Sequence, residues 1–354
     1  MNEKVLMKGN EAIAEAAIAA GCRHFFGYPI TPQTEVAAYM SKRMPKIGGV
    51  YLQAESEVAS INMVLGAGAA GVRVMTSTSS PGISLMAEGI SYLAGSDVPC
   101  LIVNVQRGGP GLGGIQPSQA DYFQATKSTA HGDFHILVFA PSTVQETVDM
   151  IATAFELGDK YRMPAMVLSD GMLGQMMEPV VLPEAREPDN DSKDWAVSGH
   201  KDKREHNVVN SLYINPQELE TLVKARFERY AEIKEKHQMA EEYLADDADI
   251  IIVAYGSSSR VSRSAIDAAR KQGIKVGMIR PITLWPFPEK VIEKHVGHAK
   301  AFLSVEMSMG QMIDDVKLVV NGRVPVEFYG RTGGMIPTPN EVLEQIVRIN
   351  GGVQ

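Results

Sequence analysis

Short apolar runs, each followed by a stretch of helical character, recur along this chain. Candidate strands lie at Arg23–Tyr28, Val50–Ala54, Val72–Thr78, Cys100–Gln106, His135–Phe139 and Ala165–Leu168. Most are short, apolar and β-branched, the pattern of strands buried on both faces. Between them lie helical stretches such as the alanine-rich Glu11–Ala20, with Gly21 as a stop, and Val144–Asp159, with Ser142 or Thr143 as a cap. Such alternation admits few folds, and the one it favours is an α/β doubly wound parallel sheet. The rhythm returns at Ile250–Tyr255, Val276–Ile279, Ala301–Val305 and Val324–Phe328, so a second, smaller α/β domain is expected.

The expected division is residues 1–185, a charged linker and long helix at 186–248, and 249–354. A chain of 354 residues is long enough for two cores. Arg186–Arg204 is polar and charged, and reads as a linker or surface excursion. A helix is predicted from Pro216 to Leu244, capped by Asn215. Leu219, Leu222, Val223, Phe227, Tyr230 and Ile233 form its apolar stripe.

Formal net charge is −8, which argues against a general nucleic-acid role. The start, MNEKVLMKGN, has no long apolar run, so no signal peptide is expected. No stretch reaches the roughly 18 apolar residues of a membrane helix. Two cysteines, Cys22 and Cys100, are too few for a disulfide framework or an iron–sulfur cluster held by this chain alone. A cytoplasmic location is the expectation.

Ligands of doubly wound sheets bind at the carboxyl ends of the strands, and four suggestive segments fall there. Gly27–Tyr28–Pro29–Ile30–Thr31–Pro32 joins a strand to a helix. Thr31 at the N-cap and Pro32 at the first helical position would make an anion site; the alternative is an ordinary turn. Glu55 and Glu57 do not share a helical face, so at most one points into a given site; favourable placement at a helix start is the alternative. Thr76–Gly82 is the third segment. Arg107 opens Gly108–Gly114, which holds five glycines; it offers a carboxylate a bidentate fork, or else makes a surface ion pair.

Other features read as structural. Gly66, Gly68 and Gly71 close a helix or let it pack closely, rather than opening a phosphate loop. His131 and His135 lack metal-site company. Ser257–Ser259 read as caps. Ser169–Asp170–Gly171 resembles part of a Mg–diphosphate motif but has no matching asparagine.

KGNEAIAEAAIAAGC, GYPITPQTE, LQAESEVASINM, TSTSSPGISLM, NVQRGGPG and MIRPITLWPFP occur in this order. Together they resemble the alpha subunit of 2-oxoacid:ferredoxin oxidoreductases, most nearly of the branched-chain (3-methyl-2-oxobutanoate) type. The resemblance spans most of the chain, the charged linker least. It implies a thiamine diphosphate pyrimidine-binding domain followed by a transketolase-C-like domain. Glu57 matches the glutamate that contacts the aminopyrimidine N1′. Tyr28 and Pro29 fall at further cofactor positions, and Thr31 and Arg107 match the substrate-carboxylate positions. The resemblance also implies a beta subunit sharing the cofactor, Mg2+ and 4Fe–4S clusters in partner subunits, a gamma subunit and a ferredoxin-like delta subunit. Coenzyme A is the implied acyl acceptor and ferredoxin the electron acceptor.

The 2-oxoglutarate members of the family are the nearest alternative. They carry a GPSTG-like sequence after the matching arginine. Here no Lys or Arg follows Arg107 until Lys127, and Leu112 and Ile115 are available to cover an apolar substrate side chain. Further readings are a pyrimidine half of an NAD-linked dehydrogenase or transketolase, and a non-catalytic assembly subunit.

Overall fold

The computed structural model describes residues 4–188 and 193–352. Part of the charged linker, 189–192, thus lies outside the described residues. In chain order the first lobe comprises β1 (Val5–Lys8), α1 (Gly9–Ala19), β2 (His24–Gly27), α2 (Thr34–Arg43), β3 (Val50–Gln53), α3 (Glu57–Ala69), β4 (Val74–Thr78) and α4 (Ser80–Gly95). It continues through β5 (Leu101–Gln106), α5 (Tyr122–Thr126), β6 (Leu137–Phe139), α6 (Val144–Tyr161), β7 (Ala165–Asp170), α7 (Gly171–Gln175) and β8 (Met177–Val180). After α8 (Pro216–Lys236), the second lobe runs β9 (Ala240–Tyr243), β10 (Ile250–Val253), α9 (Gly256–Lys271), β11 (Val276–Pro281), β12 (Thr283–Trp285) and α10 (Glu289–Val296). It ends with β13 (Ala301–Glu306), α11 (Met312–Val320), β14 (Val326–Gly330) and α12 (Pro339–Gly352).

The strands expected from the apolar runs form two sheets. The first has the order β12-β6-β7-β5-β4-β2-β3, parallel except for β12; the second has the order β14-β13-β10-β11-β9, parallel except for β9. In the first sheet β4, β5 and β7 are buried along their whole length, as their composition requires. Their carboxyl halves carry buried polar groups: Thr76, Ser77, Thr78, Asn104, Gln106, Ser169 and Asp170. Burying such groups is costly unless they serve a partner, so the polar ends mark the functional edge. Gly68 lets α3 approach closely: a Cβ there would lie 2.6 Å from Val98 Cγ1.

The sequence reading needs correcting in several places. The helix from Pro216 stops at Lys236 instead of Leu244. Residues 240–243 pair with β11, and Glu241 takes salt bridges from Arg280 (2.8 Å) and Arg263 (2.6 Å), which outcompete further helix. Its apolar stripe is only half used. Tyr230 and Ile233 are buried, Leu219 and Phe227 remain about two-fifths exposed, and Arg226 is buried between them against Asp97 and the Gly95 carbonyl. The linker is pinned across the first lobe: Arg186 N–H donates to the Ala19 carbonyl, and Lys193 pairs with Asp159 at 2.8 Å. The ribbon of β1 and β8 was not anticipated, nor were β9 and β12. β12 belongs by sequence to the second lobe, yet it hydrogen-bonds to β6 and completes the first sheet.

A seam of hydrogen bonds joins the lobes. Gln119 is fully buried. Its Nε2 donates to the Tyr255 carbonyl at 2.8 Å, and its Oε1 accepts from Ser258 Oγ (2.6 Å) and Met307 N–H (3.0 Å). Ser257 Oγ donates to Asp170 Oδ2 at 2.6 Å. Ser257 and Ser258 are therefore seam residues, whereas the sequence reading made them caps; the residue before α9, Tyr255, makes no side-chain cap.

His135 is structural, as expected. Its ring stacks on Trp285 of β12 at 4.7 Å, and burial pushes its pKa down to about 4 from 6.5. Between those values the unfolded chain binds a proton that the folded chain refuses, so stability falls as pH falls through that window. His135→Phe keeps a ring in the stack and removes the titration. Its melting temperature is expected to drop less than that of the parent as pH is lowered from about 6.5 to about 4; equal drops in thermal melts contradict this.

Candidate functional site

The site is built from the carboxyl ends of β2, β3, β4 and β5 and the loops and helix starts that follow them. After β2, Tyr28 and Pro29 are exposed and the chain turns through Ile30–Gln33, with Gln33 N–H donating to the Ile30 carbonyl at 3.1 Å. This turn delays the helix. α2 starts at Thr34 with Gln33 at its N-cap position, so Thr31 and Pro32 are not the N-cap and first helical residue that the sequence suggested. Gln33, which the sequence reading missed, braces the turn. It is fully buried, donates to the Tyr28 carbonyl at 3.1 Å and accepts from Ser77 Oγ at 2.7 Å. Thr31 stays exposed, with its carbonyl bound by Arg107.

Glu57 begins α3, whose N-cap Ser56 accepts from Ala59 N–H at 3.2 Å. Glu55 is exposed and Glu57 is only 5% exposed, so the acid that points inward is Glu57. It makes no side-chain hydrogen bond to another described residue. It reaches the start of α4, where a Cβ on Gly82 would lie 2.9 Å from Glu57 Oε1 and 1.9 Å from Thr78 Oγ1. A glycine is needed for that approach. Thr78 Oγ1 and Ser79 Oγ are buried without partners.

Arg107 directly follows β5 and is 7% exposed. Among the described residues no carboxylate pairs with it, so the surface ion pair is not formed. Its guanidinium donates to the carbonyls of Thr31 (2.9 Å) and Leu112 (3.0 Å), and its Nε is buried without an acceptor. A buried cation held by neutral carbonyls is incompletely compensated and favours an incoming carboxylate. Its backbone is held by Ser80, at 3.0 Å from its N–H. Ser80 in turn donates to Asp121, whose carboxyl pKa burial raises. Neither was singled out from sequence; only their place in TSTSSPG and SQAD could have drawn attention to them.

A cleft of about 610 Å³ opens beside Thr31. Its walls include Pro32, Ile115, Met172, Met176 and Ile336, the last from the second lobe, with the amides of Gln116 and Gln175; among the described residues no basic side chain lines it. Ile115 thus borders the cleft as its composition suggested. Leu112 does not: its side chain is 83% exposed, because the loop turns its carbonyl toward Arg107.

Asp170 is spent elsewhere. Its carboxylate accepts from Met172 N–H (2.9 Å), Leu173 N–H (3.1 Å) and Ser257. Cys22 and Cys100 are buried free thiols, Cys22 raised to about 12 by burial and Cys100 raised as well. Such thiols are poor metal ligands. His131 is exposed.

An aminopyrimidine offers ring nitrogens and an amino group. The buried carboxylate of Glu57 and the unpartnered hydroxyls of Thr78 and Ser79 form a matching acceptor and donor set. The residues gathered here fit the pyrimidine half of thiamine diphosphate. The fold and site define an α/β protein whose parallel sheet presents, at its carboxyl end, a set of groups suited to an aminopyrimidine cofactor.

Comparison with known proteins agrees. The family model "Pyruvate flavodoxin/ferredoxin oxidoreductase, thiamine diP-bdg" matches residues 15–246, and "Pyruvate:ferredoxin oxidoreductase core domain II" matches residues 248–342. The chain is 49% identical over 346 residues to the ketoisovalerate oxidoreductase subunit VorB of Methanothermobacter thermautotrophicus, covering 98% of each. It is 37% identical over 379 residues to the 2-oxoglutarate synthase subunit KorA of Methanothermobacter marburgensis, covering 98% of this chain and 99% of the relative. Among solved structures it is similar to the 2-oxoglutarate:ferredoxin oxidoreductase from Magnetococcus marinus, with 2-oxoglutarate, coenzyme A and succinyl-CoA bound: TM-score 0.86, 29% identity, 100% of this chain and 66% of that one. The chain thus spans about two thirds of that longer protein and nearly all of the two curated relatives. A split-gene transketolase, 12% identical with TM-score 0.58, shares the fold alone. The chain belongs to the thiamine-diphosphate-dependent 2-oxoacid:ferredoxin oxidoreductase family.

Gly82→Ala is expected to displace Glu57 and Thr78, at the cost of about 1–3 kcal/mol typical of overpacking. In the assembled complex, thiamine diphosphate affinity should fall while far-UV circular dichroism is retained. Unchanged affinity in a cofactor titration contradicts this placement.

Proposed function

We propose that this chain is the subunit of a ferredoxin-dependent oxidoreductase that oxidatively decarboxylates branched-chain 2-oxoacids, such as 3-methyl-2-oxobutanoate, to acyl-CoA and CO2. The observation that carries the reading is Arg107, a buried guanidinium with no carboxylate partner among the described residues, bound to the carbonyl of Thr31, which itself lines a largely apolar cleft. Arg107 and the Thr31 hydroxyl hold the substrate carboxylate. Glu57 holds and moves a proton at the aminopyrimidine N1′, and Tyr28 and Pro29 border the cofactor. Bound thiamine diphosphate supplies the nucleophilic carbon and electron sink that the decarboxylation needs. The cleft takes the substrate side chain, where each buried methylene contributes about 0.8 kcal/mol.

The partners follow from what this chain lacks. We infer a beta subunit carrying the Mg2+–diphosphate half, 4Fe–4S clusters in partner subunits, a gamma subunit, and a ferredoxin-like delta subunit passing electrons to ferredoxin. The inert cysteines and the committed Asp170 support this division. Among the described residues no helix is long and apolar enough to cross a membrane. A cytoplasmic location is part of the same reading.

The branched-chain assignment draws on the ketoisovalerate relative and on a largely apolar cleft whose described lining offers neutral Gln116 and Gln175 but no cation to a second substrate carboxylate. With ferredoxin or a viologen dye as acceptor, the purified complex is expected to show higher kcat/KM for 2-oxoisovalerate than for 2-oxoglutarate. The reverse order moves the chain to the 2-oxoglutarate class. In the same complex Glu57→Gln is expected to remove turnover; retained turnover favours an assembly role.

Arg107→Lys keeps the charge and loses the planar fork. Turnover of 2-oxoacid should fall about tenfold or more, as for a lost charged hydrogen bond, with thiamine diphosphate affinity unchanged. Loss of cofactor affinity instead makes Arg107 a cofactor residue.

A further inference from the structure

Arg107 is placed through its main chain. Its N–H donates to Ser80 Oγ at 3.0 Å, and the same oxygen lies 3.2 Å from its carbonyl. Ser80 has a single hydroxyl proton, and the short contact is to Asp121 Oδ2, at 2.5 Å. With the proton committed there, Ser80 presents a lone pair to the Arg107 amide. The same Asp121 oxygen accepts from Asn104 Nδ2 at 2.9 Å, and the Asp121 N–H donates to Gln106 Oε1 at 3.2 Å. Asp121 therefore ties the start of α4 to the end of β5.

Its chain neighbours turn the other way. Gln119 exchanges backbone and side-chain hydrogen bonds with Met307. The Ala120 carbonyl accepts from Gln311 Nε2 at 2.8 Å, and the Tyr122 hydroxyl donates to Asp315 at 2.5 Å. The segment is held by the second lobe on both sides of Asp121, while Asp121 itself faces the first lobe.

We propose that Asp121 is a positioning residue for the substrate carboxylate: it orients Ser80, Ser80 fixes the Arg107 backbone, and the docked second lobe fixes Asp121. This rests on the reading of Arg107 as the carboxylate anchor. It assigns the second lobe a part in substrate binding that needs no contact with substrate.

The test is a double-mutant cycle in the assembled complex, with Asp121→Asn, Ser80→Ala and the double variant, each checked for assembly and melting temperature. Ser80→Ala is expected to raise the KM for 2-oxoacid about tenfold. KM for coenzyme A and affinity for thiamine diphosphate should not move. Asp121→Asn should raise the 2-oxoacid KM by less, since its side-chain oxygen still accepts from Ser80 as a neutral group. In the Ser80→Ala background it should add nothing further. The proposal is overturned if Asp121→Asn leaves the 2-oxoacid KM unchanged, adds its full effect without Ser80, or raises the coenzyme A KM equally. Arg107→Lys in the same assay separates the two levels. If it leaves kcat/KM for 2-oxoacid unchanged, the anchor reading fails and this proposal with it. If it lowers kcat/KM and the cycle is additive, Asp121 alone is wrong.

Discussion

Burial of Gln119 between two sheets is the interaction on which most of the molecule depends. A primary amide taken out of water must satisfy both its oxygen and its nitrogen. Gln119 does so only when the Tyr255 carbonyl, the Ser258 hydroxyl and the Met307 amide stand in place, which means only when the second lobe is docked. Separating the lobes would strand both ends of the buried amide, at a cost of about 1–3 kcal/mol for each unsatisfied group. The seam therefore has a sharply defined geometry rather than the tolerance of a greasy contact, and residues 117–127 inherit it. Arg107, a few residues upstream, owes its setting to the same segment.

Much of the fold was legible because buried parallel strands must be apolar and short. The apolar runs located the strands of both sheet interiors to within a few residues. Edge elements escaped because their composition is ambiguous. Ala240–Glu241–Glu242–Tyr243 has helical propensity, and only pairing with β11 and the arginines at 263 and 280 makes it a strand. Thr31, Glu57 and Arg107 stand out in the sequence as polar residues near strand ends, and only the family resemblance singles out Glu57 over Glu55. The structure gathers all three at one sheet edge, but with a different local reason for Thr31. Gln33, Ser80, Asp121 and Gln119 were not found. Their significance lies in hydrogen bonds that span up to 188 residues of sequence, and no local pattern encodes those.

The acids of the chain divide by what surrounds them. Glu306 is fully buried, yet its two oxygens accept from Ser304, Ser308 and the first amides of α11, so its burial is fully compensated. Asp170 is compensated in the same manner by the start of α7. Glu57 sits at a helix start as well but has no such partners among the described residues, and its surroundings include the Thr78 and Ser79 hydroxyls, equally lacking them there. The contrast is between carboxylates of one class at the same kind of helix end, with and without their hydrogen bonds already spent.

β12 has a consequence for how this architecture can be recombined. The chain leaves the second sheet at Pro281, contributes Thr283–Trp285 to the far edge of the first, then returns to the second lobe. A boundary drawn through the charged linker would leave the first sheet short of an edge strand and expose β6 and the His135 ring. Exchange of the second lobe between homologues, whether by gene fusion, fission or laboratory chimera, carries a piece of the first sheet with it. The two lobes are thus modules in sequence but not in inheritance: a transplanted second half must bring an edge strand that fits its new host.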